Sequence, residues 1–281
     1  MKTIKLTEDI IFYDDIRNVP EVKIEKKIFN DGTPYVKILE EVDYGIVIGV
    51  KIKSFEDIGY LCCLVEALKL NTKTISLYAP YIIGFREDRK NKTNTNALTV
   101  KVVADIINSL GFDQVLTLDA HSNVGPALIN NCINLNSNTF ISKVIKKIKT
   151  NDLSLVSPDI GAVKKIQNFI DEQELLNELV ICNKIKVKDK IINYNIVSGE
   201  VRQDCLIIDD IADSLSTAIN CAEILKEKGA KNIYGFFTHS ILSDKNNYQK
   251  LNNLFTKIFT TNSYISKPPI ELKNLIKIFK I

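Results

Sequence analysis

A chain of 281 residues, 45% apolar and 25% charged, is long enough to bury the core of one large domain or of two ordinary ones, and its balance is that of a globular protein. A net charge of +3, with lysine and glutamate scattered along the chain, gives no support to DNA or RNA binding. No apolar run reaches membrane-spanning length and no signal-peptide core follows Met1-Lys2-Thr3-Ile4-Lys5, which excludes a membrane partner and predicts a cytoplasmic protein.

In chain order, alternation at Ile10-Ile11-Phe12-Tyr13 and at Tyr35-Val36-Lys37-Ile38 predicts strands, with a turn at Phe29-Asn30-Asp31-Gly32 between them. Gly45 to Val50 reads as a buried strand. Phe55 to Leu70 reads as a helix with Leu61, Leu64, Val65 and Leu68 on one face. Thr74 to Tyr78 is the next strand, Val100 to Leu110 a helix closed by Gly111, and Val115 to Leu118 a strand ending at Asp119-Ala120-His121. The β-α-β order predicts a mostly parallel sheet covered by helices.

The polar stretch Asn134-Leu135-Asn136-Ser137-Asn138 marks a domain boundary, giving units over 1–138 and 139–281. The second unit opens with a strand at Leu153 to Val156, then Ser157-Pro158-Asp159-Ile160-Gly161 and a helix from Val163 to Ile170. A strand at Leu179 to Ile181 leads into Asn183 to Lys190, whose lysines read as an exposed hairpin. Cys205-Leu206-Ile207-Ile208 is a strand that stops at Asp209-Asp210; a helix with Ile219, Ala222 and Leu225 follows and ends at Gly229. Asn232 to Phe237 closes the core. The six cysteines (Cys62, Cys63, Cys132, Cys182, Cys205, Cys221) lack Cys-x-x-Cys spacing and read as small buried hydrophobes in a reducing compartment.

The strand ending in Asp209-Asp210 delivers two carboxylates to the sheet edge where open α/β folds bind ligands. Beyond it, Asp213-Ser214-Leu215-Ser216-Thr217 offers backbone N–H groups and hydroxyls at a helix N-terminus, which suits a phosphate. Carboxylates accept from sugar hydroxyls, so the two together read as a site for a phosphorylated ribose. The plainer alternative is a strand end followed by a helix cap. Arg86 and Arg89, in Gly84-Phe85-Arg86-Glu87-Asp88-Arg89-Lys90, clamp a polyphosphate or form a solvated charge run. His121, two residues after Asp119, holds a hard cation or is structural. Asp159 is a helix N-cap on its own evidence, and His239 is structural.

Asp209-Asp210-Ile211-Ala212-Asp213-Ser214-Leu215-Ser216-Thr217 resembles the Asp-Asp-x-x-Asp-Thr-Ala-Gly-Thr loop of type I phosphoribosyltransferases and ribose-phosphate pyrophosphokinases, with Leu215 for Ala and Ser216 for Gly. Four more segments resemble the pyrophosphokinases in the same order: Phe29-Asn30-Asp31-Gly32-Thr33, Pro80 to Lys90, Leu116 to His121, and Ser157 to Gly161. The resemblance spans Phe29 to Ser243. It implies an α/β fold of two type I phosphoribosyltransferase domains, each a mostly parallel sheet flanked by helices. It also implies that Phe29, Asp31, Arg86, Asp88 and Arg89 bind ATP, and that His121 and Asp159 hold Mg2+. Asp209, Asp210, Asp213, Ser214, Ser216 and Thr217 would bind the ribose phosphate, with Lys184 and Lys186 on a catalytic loop.

The implied reaction moves the β,γ-diphosphoryl group of Mg-ATP to the anomeric hydroxyl of a ribose, in a homo-oligomer. The two departures in the loop leave two acceptors, ribose 5-phosphate and ADP-ribose, the latter as in the phage-type ADP-ribose diphosphokinases that resemble this family. A catalytically silent regulatory paralogue and a true phosphoribosyltransferase are the alternatives. The tail from Ser266 to Ile281 departs from the family's last helix, which bears on its hexameric assembly.

Overall fold

The computed structural model describes residues 1–12, 18–42, 45–187 and 190–281, with the backbone alone for 184–187 and 190–193. The chain divides into two compact units, Met1–Asn136 with Lys280–Ile281, and Ser137–Phe279.

In the first unit the elements are β1 (Lys2–Lys5), β2 (Ile24–Ile28), β3 (Pro34–Ile38), β4 (Ile46–Gly49), α1 (Phe55–Lys69), β5 (Ile75–Tyr78), α2 (Thr99–Ser109), β6 (Gln114–Leu118), α3 (Val124–Leu128) and β7 (Cys132–Leu135). β1, β4, β5, β6 and β7 form a sheet in that order, every neighbouring pair parallel. β2 and β3 make a separate antiparallel hairpin. α1 starts at a capping box: Ser54 Oγ accepts from Asp57 N at 3.2 Å, and Asp57 Oδ2 accepts from Ser54 N at 2.9 Å. Its stripe of Ile58, Leu61, Leu64, Val65 and Leu68 is buried, each large side chain contributing about 1.5–3 kcal/mol of transfer free energy.

Among the described residues the expected strand at Ile10-Ile11-Phe12 joins no ladder, and Tyr13 lies outside them. Ile10 and Phe12 are buried and pack with Val47 and Tyr78, while the Ile11 N–H donates to Ile281 O at 2.8 Å. Alternating burial there comes from lying on a sheet face, which the sequence pattern cannot distinguish from a strand. The edge strand is instead β1, registered with Thr3 opposite Val47.

The second unit contains α4 (Asn138–Ile148), β8 (Leu153–Ser157), α5 (Ile160–Glu172), β9 (Glu178–Val187), β10 (Lys190–Ser198), β11 (Asp204–Ala212), α6 (Ser216–Glu227), β12 (Asn232–Ser240), α7 (Tyr248–Leu254), β13 (Lys257–Thr261) and β14 (Ile276–Phe279). Its sheet runs β10-β9-β8-β11-β12-β13-β14. Only β9 and β10 pair antiparallel; the other neighbours are parallel. The chain leaves β8 for β9 on one side, then returns to β11 on the other, so the order reverses between β8 and β11. That reversal opens a crevice at the carboxyl ends of these two strands. The core is built from β8, β9, β11 and β12 against α6 and α7, with Val156, Val180, Ile207, Leu225, Ile233 and Leu251 almost wholly buried.

Candidate active site

Two segments furnish the crevice, the loop that leaves β8 and the last residues of β11. The ladder between these strands stops at Ile207 opposite Val156, and Asp209-Asp210 come two and three residues later on one side, Pro158-Asp159 on the other. β11 does not stop at the acid pair, as the sequence pattern predicts. β12 is long enough to keep pairing, with Asp209 opposite Phe237 and Ile211 opposite His239, so the acids lie inside the strand and the turn begins at Asp213.

Asp209 Oδ1 accepts from Asp210 N at 2.9 Å. Part of its surface is exposed, yet its carboxyl is packed round by protein. That burial, reinforced by the Asp210 carboxylate, holds Asp209 well above the usual carboxylate range; Lys165 pulls the other way and Asp159 adds to the rise. Asp159 caps α5, its Oδ1 accepting from Gly161 N at 2.9 Å, while Ser157 Oγ donates to Asp159 O at 2.6 Å. Capping and a site role are compatible, because the cap uses one carboxylate oxygen. Asp159, Asp209 and Asp210 offer only oxygen donors, the ligand type that a hard divalent cation such as Mg2+ takes, but among the described residues no group of three or more His, Cys, Asp and Glu is placed to hold a metal ion.

The turn places Ser214 and Ser216 outward, their Oγ atoms 2.7 Å apart. Leu215 takes the left-handed conformation at φ 69° with its side chain 4% exposed, among Ala212, Ala218 and Ile219. The bulk of Leu215 therefore goes into the core; of the two departures from the family loop, only Ser216 faces the cradle. Among the described residues no side chain caps α6, which leaves its first-turn N–H groups for an anion. The segment after β12 braces the turn: Ser243 N donates to Asp213 O at 3.1 Å and Asn247 Nδ2 to Ser214 O at 2.7 Å. Thr217 is half-buried at the start of α6.

Lys184 and Lys186 lie on β9, paired in register with Tyr194 and Ile191 of β10; their side chains lie outside the described residues. His239 is buried, with Nδ1 2.6 Å from Ser263 Oγ, in keeping with a structural role.

In the first unit, β5 and β6 are parallel neighbours, so the segments after them leave the same sheet edge. After β5 the chain turns at Gly84, φ 85°, and buries Phe85; Arg86 and Arg89 are exposed. The Asp88 carboxyl is only 8% exposed, and its Oδ1 lies 3.7 Å from Arg89 Nε. After β6, Asp119 is buried at φ 48°, its N–H donating to Leu135 O at 2.7 Å, and His121 is exposed. A non-glycine residue in this backbone region is strained by about 1–3 kcal/mol, a cost found preferentially at functional sites. Phe29 and Asp31 stand at the tip of the β2–β3 hairpin, which rests on α1 where Cys63 Sγ donates to Pro34 O at 3.4 Å. Asp31 Oδ1 accepts from Thr33 N at 3.0 Å, and that bond, with a further one from the Thr33 hydroxyl, lowers its pKa. Phe29 meets Tyr35 edge-on at 5.6 Å.

The predicted residues thus collect at three places: Asp159, Asp209, Asp210 and the serine turn on the second sheet, Arg86, Asp88, Arg89 and His121 on the first, Phe29 and Asp31 on the hairpin. Sequence reasoning missed Lys165 and Phe85. Nothing separates Lys165 from Lys164 until α5 fixes which one faces Asp209.

A family model described as the phosphoribosyl synthetase-associated domain matches residues 171–278. The chain is 33% identical over 243 residues to the ribose-phosphate pyrophosphokinase of Thermosipho africanus, covering 84% of this chain and 76% of the relative. Against the enzyme of the same name from Clostridium perfringens it is 30% identical over 269 residues, covering 92% and 83%. In fold it is similar to a phosphoribosylpyrophosphate synthetase from Mycobacterium smegmatis, with a TM-score of 0.81 at 19% identity, covering 100% of this chain and 94% of that one. With the parallel sheets, the acid pair and the serine turn in place, the chain belongs to the ribose-phosphate pyrophosphokinase family of diphosphotransferases.

Proposed function

We propose that this protein transfers the β,γ-diphosphoryl group of Mg-ATP to the anomeric hydroxyl of ribose 5-phosphate, releasing AMP. The observation that carries this reading is the meeting of Asp209-Asp210, Asp159 and the serine turn at the one point where the second sheet reverses its strand order. A ribose laid there gives its 2- and 3-hydroxyls to Asp209 and Asp210. Its 5-phosphate sits on the first-turn N–H groups of α6 with Ser214, Ser216, Thr217 and the Asp213 turn around it. Residues 1–138 supply the ATP side through Arg86, Asp88 and Arg89, and residues 139–281 the ribose-phosphate side. Phe29 and Asp31 serve the adenine, in a homo-oligomer where they reach a neighbouring copy's nucleotide.

His121 and Asp159 would hold Mg2+ or its waters; the bound ion neutralises phosphate charge. Lys184 and Lys186 stabilise the negative charge redistributed as the diphosphoryl group moves, so no covalent nucleophile is needed. One observation favours a second acceptor: Ser216 is exposed in the turn where the family loop has glycine, and its hydroxymethyl group reshapes the seat of a terminal phosphate, for which the bridging diphosphate of ADP-ribose is the alternative occupant. Product analysis by mass spectrometry, with ATP, Mg2+ and each acceptor in turn, tests both. AMP with phosphoribosyl diphosphate supports the first reading, AMP with a diphosphorylated ADP-ribose supports the second, and no AMP from either leaves the silent paralogue.

A further inference from the structure

Tyr194 lies on β10, the edge strand, directly opposite Lys184 of β9. Its side chain does not point to solvent. It passes Cys182 of β9 and Cys221 of α6, both fully buried and 3.5 Å apart at sulfur, and its hydroxyl donates to the carbonyl of Pro158, beyond the end of β8. One phenol therefore crosses from the edge of the sheet to the loop beside the acid pair.

That carbonyl belongs to the peptide plane that joins Pro158 to Asp159, so a bond to it fixes the orientation of Asp159 on its N-terminal side. The plane on the other side of Asp159 is fixed by Ser157 Oγ, which donates to Asp159 O at 2.6 Å. Asp159 is thus held in its extended conformation, φ −157°, by two hydroxyls. Ser157 is local. Tyr194 is 36 residues from Pro158 and belongs to the hairpin that carries the lysines.

We propose that Tyr194 is a positioning residue for the diphosphoryl transfer: by tying the lysine hairpin to the Pro158–Asp159 peptide, it sets Asp159 and the Lys184 strand in one fixed relation. Burial pushes the phenol's pKa up from its ordinary value, so the hydroxyl keeps the proton that it donates. The inference rests on the proposed reading of Asp159 and Lys184 as site residues.

Tyr194→Phe removes the tie and leaves the ring in the core. In the whole 281-residue chain, kcat with Mg-ATP and ribose 5-phosphate should fall about tenfold, the worth of one well-placed hydrogen bond, with each KM moving less than about threefold. Without any substrate, amide hydrogen exchange at Asp159, Ile160 and Gly161 should quicken. Cys221→Ala loosens the packing around the phenol without removing its hydroxyl, and should lower the melting temperature while keeping kcat. Unchanged exchange in Tyr194→Phe would overturn the tie, and unchanged kcat its role in turnover. An equal kcat loss in Cys221→Ala would reduce the effect to general packing. Should the unmodified protein release no AMP, the proposed function fails, and the exchange comparison still decides whether Tyr194 holds Asp159.

Discussion

The ring of Phe85 rests on the bare α-carbon of Gly125: a β-carbon built there would come within 2.8 Å of the ring atoms. Phe85 immediately precedes Arg86, and Gly125 follows His121 by four residues, so this contact ties together the two segments that leave β5 and β6. Gly125→Ala should push the ring away at a cost of about 1–3 kcal/mol, as overpacking does, and displace Arg86. Denaturant unfolding should show the loss of stability, and KM for ATP should rise more than KM for the sugar; equal changes in both would disconnect Phe85 from nucleotide binding.

Asp209 carries a sign prediction for pH. Its native pKa lies above the unfolded value because of burial first and Asp210 second, so between the two values the folded protein binds more protons than the unfolded one. Stability from this group is full below the ordinary carboxylate range, near pH 4, and is lost as pH rises toward the raised native value. Asp209→Asn should therefore raise the melting temperature of the metal-free protein at neutral pH, by more at pH 7 than at pH 5, and lower turnover about 100-fold or more. A melting temperature that falls at pH 7 would contradict the charge argument.

Leu215 and Ser216 separate strain from specificity. Leu215→Gly relieves a left-handed backbone worth about 1–2 kcal/mol but empties a core site worth about 2–5 kcal/mol. The net expectation is a loss of about 1–3 kcal/mol in denaturant unfolding, with the preference between ribose 5-phosphate and ADP-ribose unchanged. Ser216→Gly, at an exposed position, should change stability by less than about 1 kcal/mol and shift the ratio of kcat/KM toward ribose 5-phosphate. If Leu215→Gly moves that ratio and Ser216→Gly does not, the cradle has been read from the wrong residue.

For the lysine hairpin, the double variant Lys184→Ala, Lys186→Ala is expected to lower kcat by about 1000-fold with small changes in KM, because the charge is needed in the transition state. Isothermal titration with ATP and with ribose 5-phosphate should show binding largely retained. Full activity would leave these lysines as surface charge.

His121 is exposed, so His121→Ala should leave thermal unfolding within about 0.5 kcal/mol of the parent while raising the Mg2+ concentration needed for half-maximal turnover. An unchanged Mg2+ dependence removes the histidine from the metal's surroundings.

Much of this site was legible because its chemistry sits on strongly patterned elements. The apolar run before Asp209-Asp210 reads as a buried strand, although β11 runs on to Ala212, and Asp159 stands at a recognisable helix start. The conformation of Leu215 was not legible, since a left-handed turn ordinarily recruits glycine or asparagine and the sequence offers neither there. β13 and β14 escaped notice because each is short and mixed in polarity, so that only lateral pairing with β12 and with each other makes them strands. Lys165 and Phe85 became meaningful only through tertiary neighbours, which no local pattern records.

The Ile11 N–H bond to Ile281 O means that the first unit is discontinuous in sequence. Its buried Ile10–Phe12 segment is completed by residues that come after the whole of the second unit in the chain. A cut between Asn136 and Ser137 would consequently not release an intact first unit, because that fragment would lack the carbonyl that Ile11 requires. The two units can be told apart in space, yet they cannot be expressed as two simple consecutive fragments.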